Sequence, residues 1–189
     1  MFDELAFLMK GFFMFKYQHG FCIIRCQPFH IGHDRLIKKM MEECAFGTIL
    51  IGSAQESGTE KNPLPYFTRK KMIQNVWRKH PAYERLRIVA LKDINHVLWN
   101  VHVLETIKKE QSDKPKPDII YVGDEGEYSV FANDVPNVGI CSRTTQSFPF
   151  LSGNMVRDMI NLKDIRYKNF VHQENLDLIQ KSFYEEEKI

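Results

Sequence analysis

Short apolar runs alternate with amphipathic segments along most of this chain, and that alternation limits the folds open to it. Five runs are typical of strands: FCIIRC from Phe21, TILIGSA from Thr48, RLRIVAL from Arg85, DIIYVG from Asp118 and NVGIC from Asn137. The segments between them carry apolar residues at helical spacing, such as Leu36, Ile37, Met40 and Met41. Apolar strands separated by helices predict a doubly wound, Rossmann-like α/β fold, with a parallel sheet covered by helices on both faces.

The length of 189 residues suits a single domain. We expect that domain over residues 21–189, ending in C-terminal helices, and an apolar arm over residues 1–20. The arm carries Asp3 and Glu4 where a signal peptide needs positive charge, and it is too short and broken to span a membrane. It is expected to pack on the body or on a second copy, which favours a homo-oligomer. An upstream extension, with Met14 as the start, is the alternative.

Charge and cysteine content narrow the functional classes. The net charge is +2 with both signs well mixed, so the sequence does not indicate a nucleic-acid partner. The four cysteines show neither a C-x-x-C pair nor the spacing of a zinc site. Cys22 and Cys26 are predicted on one strand with their side chains on the same face. We therefore expect free thiols and a cytoplasmic protein.

The segment RCQPFHIGH, residues 25–33, places two histidines around a glycine directly after the first predicted strand. A helix is expected to begin near His33, and its free N–H groups and positive end would suit a phosphate. Gly32 would let backbone approach a ligand, while His30 and His33 could donate hydrogen bonds to phosphate oxygens. Taken alone, the pattern is more typical of histidines that cap a turn. A metal site is disfavoured because no third ligand is near in the sequence.

The segment SGNMVR, residues 152–157, opens a helix near the other end of the chain. Ser152 or Asn154 could cap this helix and leave backbone N–H groups available to anionic oxygens. Arg157, about one turn further on, could reach the β- and γ-phosphates of a nucleotide with its fork of donors. A plain N-cap without ligand is the alternative for this segment considered alone.

The first of these segments resembles the G-R-F-Q-P-F-H-x-G-H signature of the nucleotidylyltransferase superfamily, in which two histidines stabilise the triphosphate. Identical residues are Arg25, Gln27, Pro28, Phe29, His30, Gly32 and His33. SGNMVR resembles the second superfamily signature, S-G-T-x-[IV]-R, and follows in the right chain order. The chain departs from the signatures at Ile24, Cys26 and Asn154, which replace Gly, Phe and Thr.

The resemblance implies which residues act on the nucleotide. Catalytic roles are implied for Arg25, His30, His33 and Arg157. YVGDEGEY, after the fourth strand, resembles the segment that borders the adenine pocket. Contacts with ATP are implied for the residues that match these segments: Gln27, Phe29, Gly32, Gly123, Asp124, Ser152, Gly153 and Asn154.

The middle of the chain resembles archaeal-type nicotinamide mononucleotide (NMN) adenylyltransferases. IGSAQESGTEKNP (residues 51–63) is similar to their I-G-S-A-Q-x-S-x-T-x-x-N-P segment, and DINHVLW (residues 93–99) to their D-I-N-x-N-x-x-W segment. NMN contacts are implied for Ser53, Gln55, Asp93, Asn95 and Trp99. Trp99 would stack on the pyridinium ring, although a tryptophan of this spacing is as often a core residue. Val97 stands where the family has an asparagine that contacts the base.

The function implied is adenylyl transfer from ATP to the phosphate of NMN, giving NAD and pyrophosphate. Mg²⁺ would be bound mainly through the ATP phosphates, with no dedicated set of protein metal ligands. The sequence leaves open whether the substrate is NMN or its deamidated form. Two alternatives stay open as well: a related nucleotidylyltransferase with another phosphate acceptor, and a catalytically silent nucleotide-binding or regulatory module. The C-terminal segment, with His172, is expected to be amphipathic helix without chemistry.

Overall fold

A computed structural model of the chain describes residues 15–94, 97–142 and 151–185. Five strands form one parallel sheet: β1 (Tyr17–Ile24), β2 (Cys44–Ile51), β3 (Leu86–Ala90), β4 (Ile119–Val122) and β5 (Asn137–Ile140). Their spatial order is β3-β2-β1-β4-β5. The predicted doubly wound, Rossmann-like parallel sheet is confirmed.

Helices connect the strands and follow the sheet. The α-helices are α1 (Ile31–Glu43), α2 (Tyr66–Trp77), α3 (Trp99–Glu110), α4 (Gly153–Asn161) and α5 (Leu176–Gln180). Short 3₁₀ helices lie at Pro81–Arg85, Glu125–Phe131, Ile165–Asn169 and Gln173–Asn175. A short π-helix at Lys181–Glu185 ends the described chain. Within the described ranges, no helix is both long enough and apolar enough to cross a membrane.

The predicted strands and helices are all present, with shifts of a few residues at their ends. β1 begins at Tyr17 rather than Phe21, because the Asp118 carboxylate accepts hydrogen bonds from the N–H groups of Gln18 (3.1 Å) and His19 (3.0 Å). β1 also ends at Ile24, before the loop. Cys26 therefore lies beyond the strand on which it was predicted, in a left-handed conformation with φ of 54°.

The sheet has an apolar core on each face. On one face, Cys22 and Ile24 of β1 join buried residues of α1, α2, α4 and α5. On the other, Phe21 of β1 joins Val103 and Ile107 of α3 and Phe131 of the 3₁₀ turn after β4. Both faces are thus covered, which explains why the strands are apolar at consecutive positions rather than alternating.

The order of the strands determines where a ligand can bind. β1 is the central strand and pairs in parallel with both β2 and β4. The chain therefore moves from β1 to one side through β2 and β3, and then returns to the other side through β4 and β5. Connections that leave neighbouring strands in opposite directions open a crevice at their carboxyl ends. Here that crevice lies at the ends of β1 and β4.

A buried polar cluster lies near the amino end of β1. The His19 imidazole is fully buried; its Nδ1–H donates to the Pro115 carbonyl oxygen (2.6 Å) and its Nε2 accepts from the Thr48 hydroxyl (2.7 Å). The Gln111 amide donates to that same hydroxyl oxygen. Burial lowers the pKa of His19, and the hydrogen bond to Pro115 opposes this only in part. The folded protein therefore holds His19 neutral.

Because an unfolded histidine has a pKa of about 6.5, the unfolded chain binds a proton at His19 before the folded protein does. We expect the free energy of unfolding to fall as the pH decreases below about 6.5. The variant His19→Gln, which keeps a donor and an acceptor without titrating, should flatten this part of the profile. Urea unfolding from pH 7.5 to pH 5.5 tests it, and equal slopes in both proteins would contradict the assignment.

Candidate active site

A cleft of about 660 Å³ opens at the carboxyl ends of β1 and β4, where the strand order predicts a ligand. Its walls come from the loop after β1, the first turn of α1, the end of β4 and the start of α4. Ten residues predicted for catalysis or ATP binding line it: Arg25, Gln27, His30, Gly32, His33, Gly123, Ser152, Gly153, Asn154 and Arg157. Motifs from opposite ends of the sequence therefore meet in one cavity.

The two histidines form a reciprocal cap at the start of α1. His30 is the N-cap residue, and its Nδ1 accepts from the Gly32 N–H at 3.1 Å. In return, the His33 Nδ1 accepts from the His30 N–H at 3.3 Å. The two imidazole rings stack with centroids 3.7 Å apart. Histidine thus takes both places that Ser or Thr and Glu hold in an ordinary capping box.

This cap determines the tautomer of both rings. An Nδ1 that accepts a hydrogen bond carries no proton, so the neutral form of each ring carries its proton on Nε2. Each imidazole therefore offers an Nε2–H donor, the group required to bind a phosphate oxygen. His30 is 5% exposed and His33 partly exposed, and both line the cleft.

The start of α1 differs from the prediction in one respect. We expected its backbone N–H groups to be available to phosphate, but intramolecular acceptors occupy them. The Ile31 N–H donates to the Phe170 carbonyl oxygen (2.9 Å), the Gly32 N–H to His30, and the His33 N–H also to the His30 side chain. The groups at the start of α1 that remain available to a phosphate are therefore the imidazoles, together with the helix dipole.

Gly32 has a steric role in the cap. A Cβ at this position would lie 3.0 Å from two atoms of the His30 imidazole and 3.3 Å from the Leu151 side chain. The glycine thus lets the His30 ring fold back over the helix. This close approach of backbone to imidazole is a further role of Gly32, and the predicted close approach of its backbone to a ligand stays a prediction.

The start of α4 keeps its N–H groups available. Ser152 caps the helix, its hydroxyl oxygen accepting from the Met155 N–H at 3.2 Å. In the part of the chain that the structure describes, the N–H groups of Gly153 and Asn154 have no intramolecular acceptor. Both residues line the cleft, so the start of α4, unlike that of α1, has backbone N–H groups suited to an anion.

Arg157 connects the two motifs. One of its terminal nitrogens donates to the Gln27 carbonyl oxygen (2.7 Å), and the other to the Asn154 side-chain oxygen (2.6 Å). Burial lowers the pKa of Arg157, and the Asp158 carboxylate opposes this. A side chain at Gly153 would also crowd Gln27, since a Cβ there would lie 3.1 Å from the Gln27 carbonyl oxygen. The loop after β1 and the start of α4 are therefore held in contact.

Two residues predicted to contact ATP have buried side chains, although Gln27 also contributes to the cleft lining. The Gln27 side chain is 2% exposed and pairs with the backbone of Leu64, accepting from its N–H (2.9 Å) and donating to its carbonyl oxygen (3.0 Å). Phe29 is fully buried and stacks near-parallel with His33, with centroids 5.9 Å apart. Their side chains position the loop and the imidazole rather than reaching a ligand.

The residues predicted for NMN form a second cluster, at the ends of β2 and β3. The Asp93 carboxylate accepts from the Ser53 N–H (3.1 Å) and the Ser53 hydroxyl (2.5 Å), and the Gln55 side chain accepts from the Asp93 N–H (3.1 Å). Asp93 and Trp99 line the cleft, whereas Ser53 is buried beneath it. Trp99 also packs against the apolar core, and its stacking on a pyridinium ring stays a prediction. Asn95 lies outside the described residues.

Of the two residues predicted for ATP binding in the segment after β4, one lines the cleft and the other does not. Gly123 lines the cleft, and its N–H donates to the Glu127 carboxylate at 3.3 Å. Asp124 is exposed and caps the following 3₁₀ turn, accepting from the Gly126 N–H at 2.9 Å. Asp124 is therefore assigned to the turn. Val130 and Phe131, which the sequence did not single out, complete this wall.

The charges that line the cleft favour an anion. Among the residues that the structure describes, four cationic side chains contribute to the lining, those of Arg25, Arg35, Lys61 and Arg157, against the two carboxylates of Asp93 and Glu127. Neither Arg35 nor Lys61 was predicted, because single cations outside a signature carry no sequence signal. Among the described residues, no group of three or more His, Cys, Asp or Glu side chains could hold a metal ion.

Arg69 is a supporting residue to which the sequence assigned no role. It is fully buried in α2, and its guanidinium donates to three carbonyl oxygens, those of Arg25 (3.0 Å), Gly52 (2.7 Å) and Ser53 (2.9 Å). Burial lowers its pKa, while nearby Cys26 and Asp93 raise it. Its spacing from Met72 and Ile73 places it on the buried face of α2, which was the available signal.

Comparison with known proteins gives this cleft a family context. The family model described as cytidylyltransferase-like matches residues 25–138, more than half of the chain. The nicotinamide-nucleotide adenylyltransferase of Thermoplasma volcanium is 35% identical over 107 residues, 56% of each chain. That of Archaeoglobus fulgidus is 30% identical over 117 residues, 59% of this chain and 63% of the relative. The matched regions thus span about three-fifths of these relatives.

Solved structures share the fold. A bifunctional NMN adenylyltransferase/ADP ribose pyrophosphatase from Francisella tularensis, complexed with AMP and a Mn ion, gives a TM-score of 0.65 at 20% identity, covering 90% of this chain and 54% of that one. The nicotinic acid mononucleotide adenylyltransferase of Plasmodium falciparum, complexed with NaAD, gives 0.59 at 14% identity, covering 87% and 95%. At such identities the similarity concerns the fold alone.

The buried Arg69 provides a stability test. Arg69→Lys can satisfy at most part of three buried carbonyl groups, and each one left unpaired costs about 1–3 kcal/mol. We expect the free energy of unfolding to decrease by about 2–4 kcal/mol. Arg87→Lys is the matched control, since Arg87 also donates only to carbonyl oxygens but is exposed. Urea unfolding distinguishes them, and equal losses in both variants would contradict the role of Arg69.

Proposed function

We propose that this chain, which belongs to the cytidylyltransferase-like family, transfers the adenylyl group of ATP to the phosphate of nicotinamide mononucleotide. The products are NAD and pyrophosphate. One observation carries the proposal: two Nε2–H imidazoles, Arg157 and the N-terminal N–H groups of α4 converge on one cationic cleft. The activity named for the archaeal relatives, nicotinamide-nucleotide adenylyltransferase, supports it.

In this reaction the protein itself has little covalent chemistry to perform. An oxygen of the NMN 5′-phosphate attacks the α-phosphorus of ATP, and the bond between that phosphorus and the oxygen bridging to the β-phosphate breaks. The bond electrons leave with pyrophosphate. Because a phosphate monoester is already anionic near neutral pH, no strong general base is required. The catalytic contribution is positioning and stabilisation of phosphate charge.

The residues of the cleft divide this work by position. His30 and His33 donate from Nε2 to oxygens of the α- and β-phosphates, and Arg25 adds positive charge on the same side. Arg157 and the N–H groups of Gly153 and Asn154 bind the departing pyrophosphate. The imidazoles act as neutral donors, because protonation of Nδ1 would break the cap that orients them.

A divalent cation, Mg²⁺, belongs to the proposal because it accompanies ATP and neutralises phosphate charge when bound. The two carboxylates lining the cleft do not form a ligand cluster, and Asp93 already accepts two hydrogen bonds from Ser53. Within the described residues, this set fits a cation held mainly by phosphate oxygens and water. Glu127, the other carboxylate that lines the cleft, lies within the segment YVGDEGEY, which is expected to border the adenine pocket.

The acceptor end supports NMN through Asp93 and Trp99. A fixed carboxylate and an indole face, both on the cleft wall, suit a positively charged pyridinium ring. Val97 is 93% exposed, so its difference from the family asparagine changes the protein surface rather than the packing of the core. The deamidated mononucleotide and a different phosphate acceptor are the alternatives, and a silent nucleotide-binding module is the alternative of another class.

The proposal also concerns the cellular compartment of the protein and its self-association. All four cysteines are free thiols, and three of them are buried, which suits the reducing cytoplasm. Self-association is also proposed, through the residues of the apolar arm that precede β1 at Tyr17. Fourteen residues of that arm precede the described chain.

The proposed activity is tested by adding ATP, Mg²⁺ and NMN to the purified protein and measuring NAD and pyrophosphate. We expect both products in equal amounts. His33→Ala should lower turnover by about 10²–10³-fold, the usual effect of removing one donor to a charged transition state. His80→Ala is the matched control, because His80 caps a 3₁₀ turn away from the cleft and should leave turnover unchanged.

The acceptor alternatives give different outcomes in the same assay. Competition between NMN and its deamidated form in one reaction measures the preference directly. Pyrophosphate released with another phosphate acceptor, but with neither mononucleotide, would contradict the substrate assignment. Tight ATP binding without pyrophosphate from any acceptor would identify a silent module.

A further inference from the structure

We propose that His172, in the C-terminal segment, is a positioning residue that holds the His33 imidazole in its catalytic orientation through Phe29. This inference rests on the proposed function, since it concerns the same histidine pair. The sequence predicted no chemistry for this segment and a structural or solvated role for His172. In the structure, the side chain of His172 is 20% exposed and lies against the residues behind the cleft.

Four rings follow one another from the C-terminal segment to the cleft. The His172 ring stacks on Phe29 with centroids 5.7 Å apart and planes 18° apart. Phe29 stacks on His33 at 5.9 Å and 12°, and His33 on His30 at 3.7 Å and 23°. Each ring is therefore close to parallel with the next, and Phe29, which is fully buried, has no room to tilt away.

The far end of this ring series lies beside Asp34, a buried carboxylate in the first turn of α1, without a hydrogen bond between the two side chains. His172 Nε2 lies 3.4 Å from one Asp34 oxygen. The same carboxylate accepts from the Trp77 indole N–H (2.9 Å) and forms an ion pair with Lys38 (2.7 Å). Burial raises the pKa of Asp34, but His172 and Lys38 lower it by more, so the carboxylate is charged at neutral pH.

The same turn of the C-terminal segment also contacts the backbone of α1. The Phe170 carbonyl oxygen accepts from the Ile31 N–H at 2.9 Å, one residue after the N-cap. Phe170 and Val171 are buried in the core beside α1. The segment thus fixes the first turn of α1 from behind, while its histidine reaches the ring series.

The His33 ring needs this support because its own cap bond is weak. The His30 N–H to His33 Nδ1 distance is 3.3 Å, at the long limit of N–H···N bonds. The parallel faces of Phe29 and His30 limit the rotation of the ring about this long bond. Since misplacement by about 1 Å costs on the order of 10²-fold in rate, the support matters for turnover more than for substrate affinity.

Kinetics of three variants test the positioning role. In His172→Ala we expect kcat to fall by roughly 10-fold, with the KM for ATP within about 2-fold of wild type. His172→Phe keeps the stack without the Asp34 contact and should recover most of kcat. Tyr184→Phe is the matched control: it removes another C-terminal contact, the hydroxyl donation to the Ile160 carbonyl oxygen (2.8 Å), and should leave kcat unchanged.

A measurement on the ligand-free protein separates this proposal from the proposed function. Long-range ¹H–¹⁵N NMR correlations report the tautomer and environment of each imidazole. We expect the His33 signals to shift and broaden in His172→Ala but not in Tyr184→Phe. Should His172→Ala fail to fold, His172→Gln, which keeps a polar group near Asp34 without the ring, replaces it in the same comparison.

The outcomes are distinct. His33 signals identical in wild type and in the variant without a ring at residue 172 overturn the positioning role, whatever the activity. A KM for ATP that rises while kcat stays constant also overturns it. Absence of NAD formation by the wild-type protein contradicts only the proposed function, because the NMR comparison remains valid without substrate.

Discussion

The reciprocal cap between His30 and His33 is the interaction on which the site depends. It satisfies the first turn of α1 with imidazole nitrogens, so the two rings cannot leave without exposing buried N–H groups. The same bonds remove the proton from Nδ1 and leave it on Nε2. Helix stability and the donor state of the histidines are therefore set by one arrangement.

The rest of the cleft follows from how neighbouring segments are tied to that cap. Arg157 joins the start of α4 to the loop after β1, and Arg69 joins the carboxyl ends of β1 and β2. Cys26 and Ser53, which follow those two strands, both have positive φ, a conformation that non-glycine residues rarely adopt. The buried guanidinium of Arg69 donates hydrogen bonds to carbonyl groups next to both residues. These bonds stabilise the strained backbone at the ends of the two strands.

Much of the fold could be predicted because its strands are buried on both faces and its helices keep a regular apolar spacing. The strand ends could not, since the start of β1 depends on Asp118 from a distant loop. Most motif residues line the cleft as predicted, Phe29 and Asp124 excepted, but their hydrogen-bond partners did not follow from local sequence. The Phe170 carbonyl accepts a hydrogen bond from an N–H group of α1, and the Leu64 N–H donates one to the side-chain amide of Gln27. Contacts of this kind depend on tertiary packing, which one sequence does not specify.

The central claim is that the cleft is built to hold the phosphates of a nucleotide. Isothermal titration of adenosine, AMP, ADP and ATP into the Mg²⁺-containing protein tests it most directly. We predict that affinity rises with each added phosphate and that ATP binds at least about tenfold more tightly than AMP, about 1.4 kcal/mol. Arg157→Met should reduce that difference. Equal affinity for adenosine and ATP, unchanged by salt or by the substitution, would contradict the account.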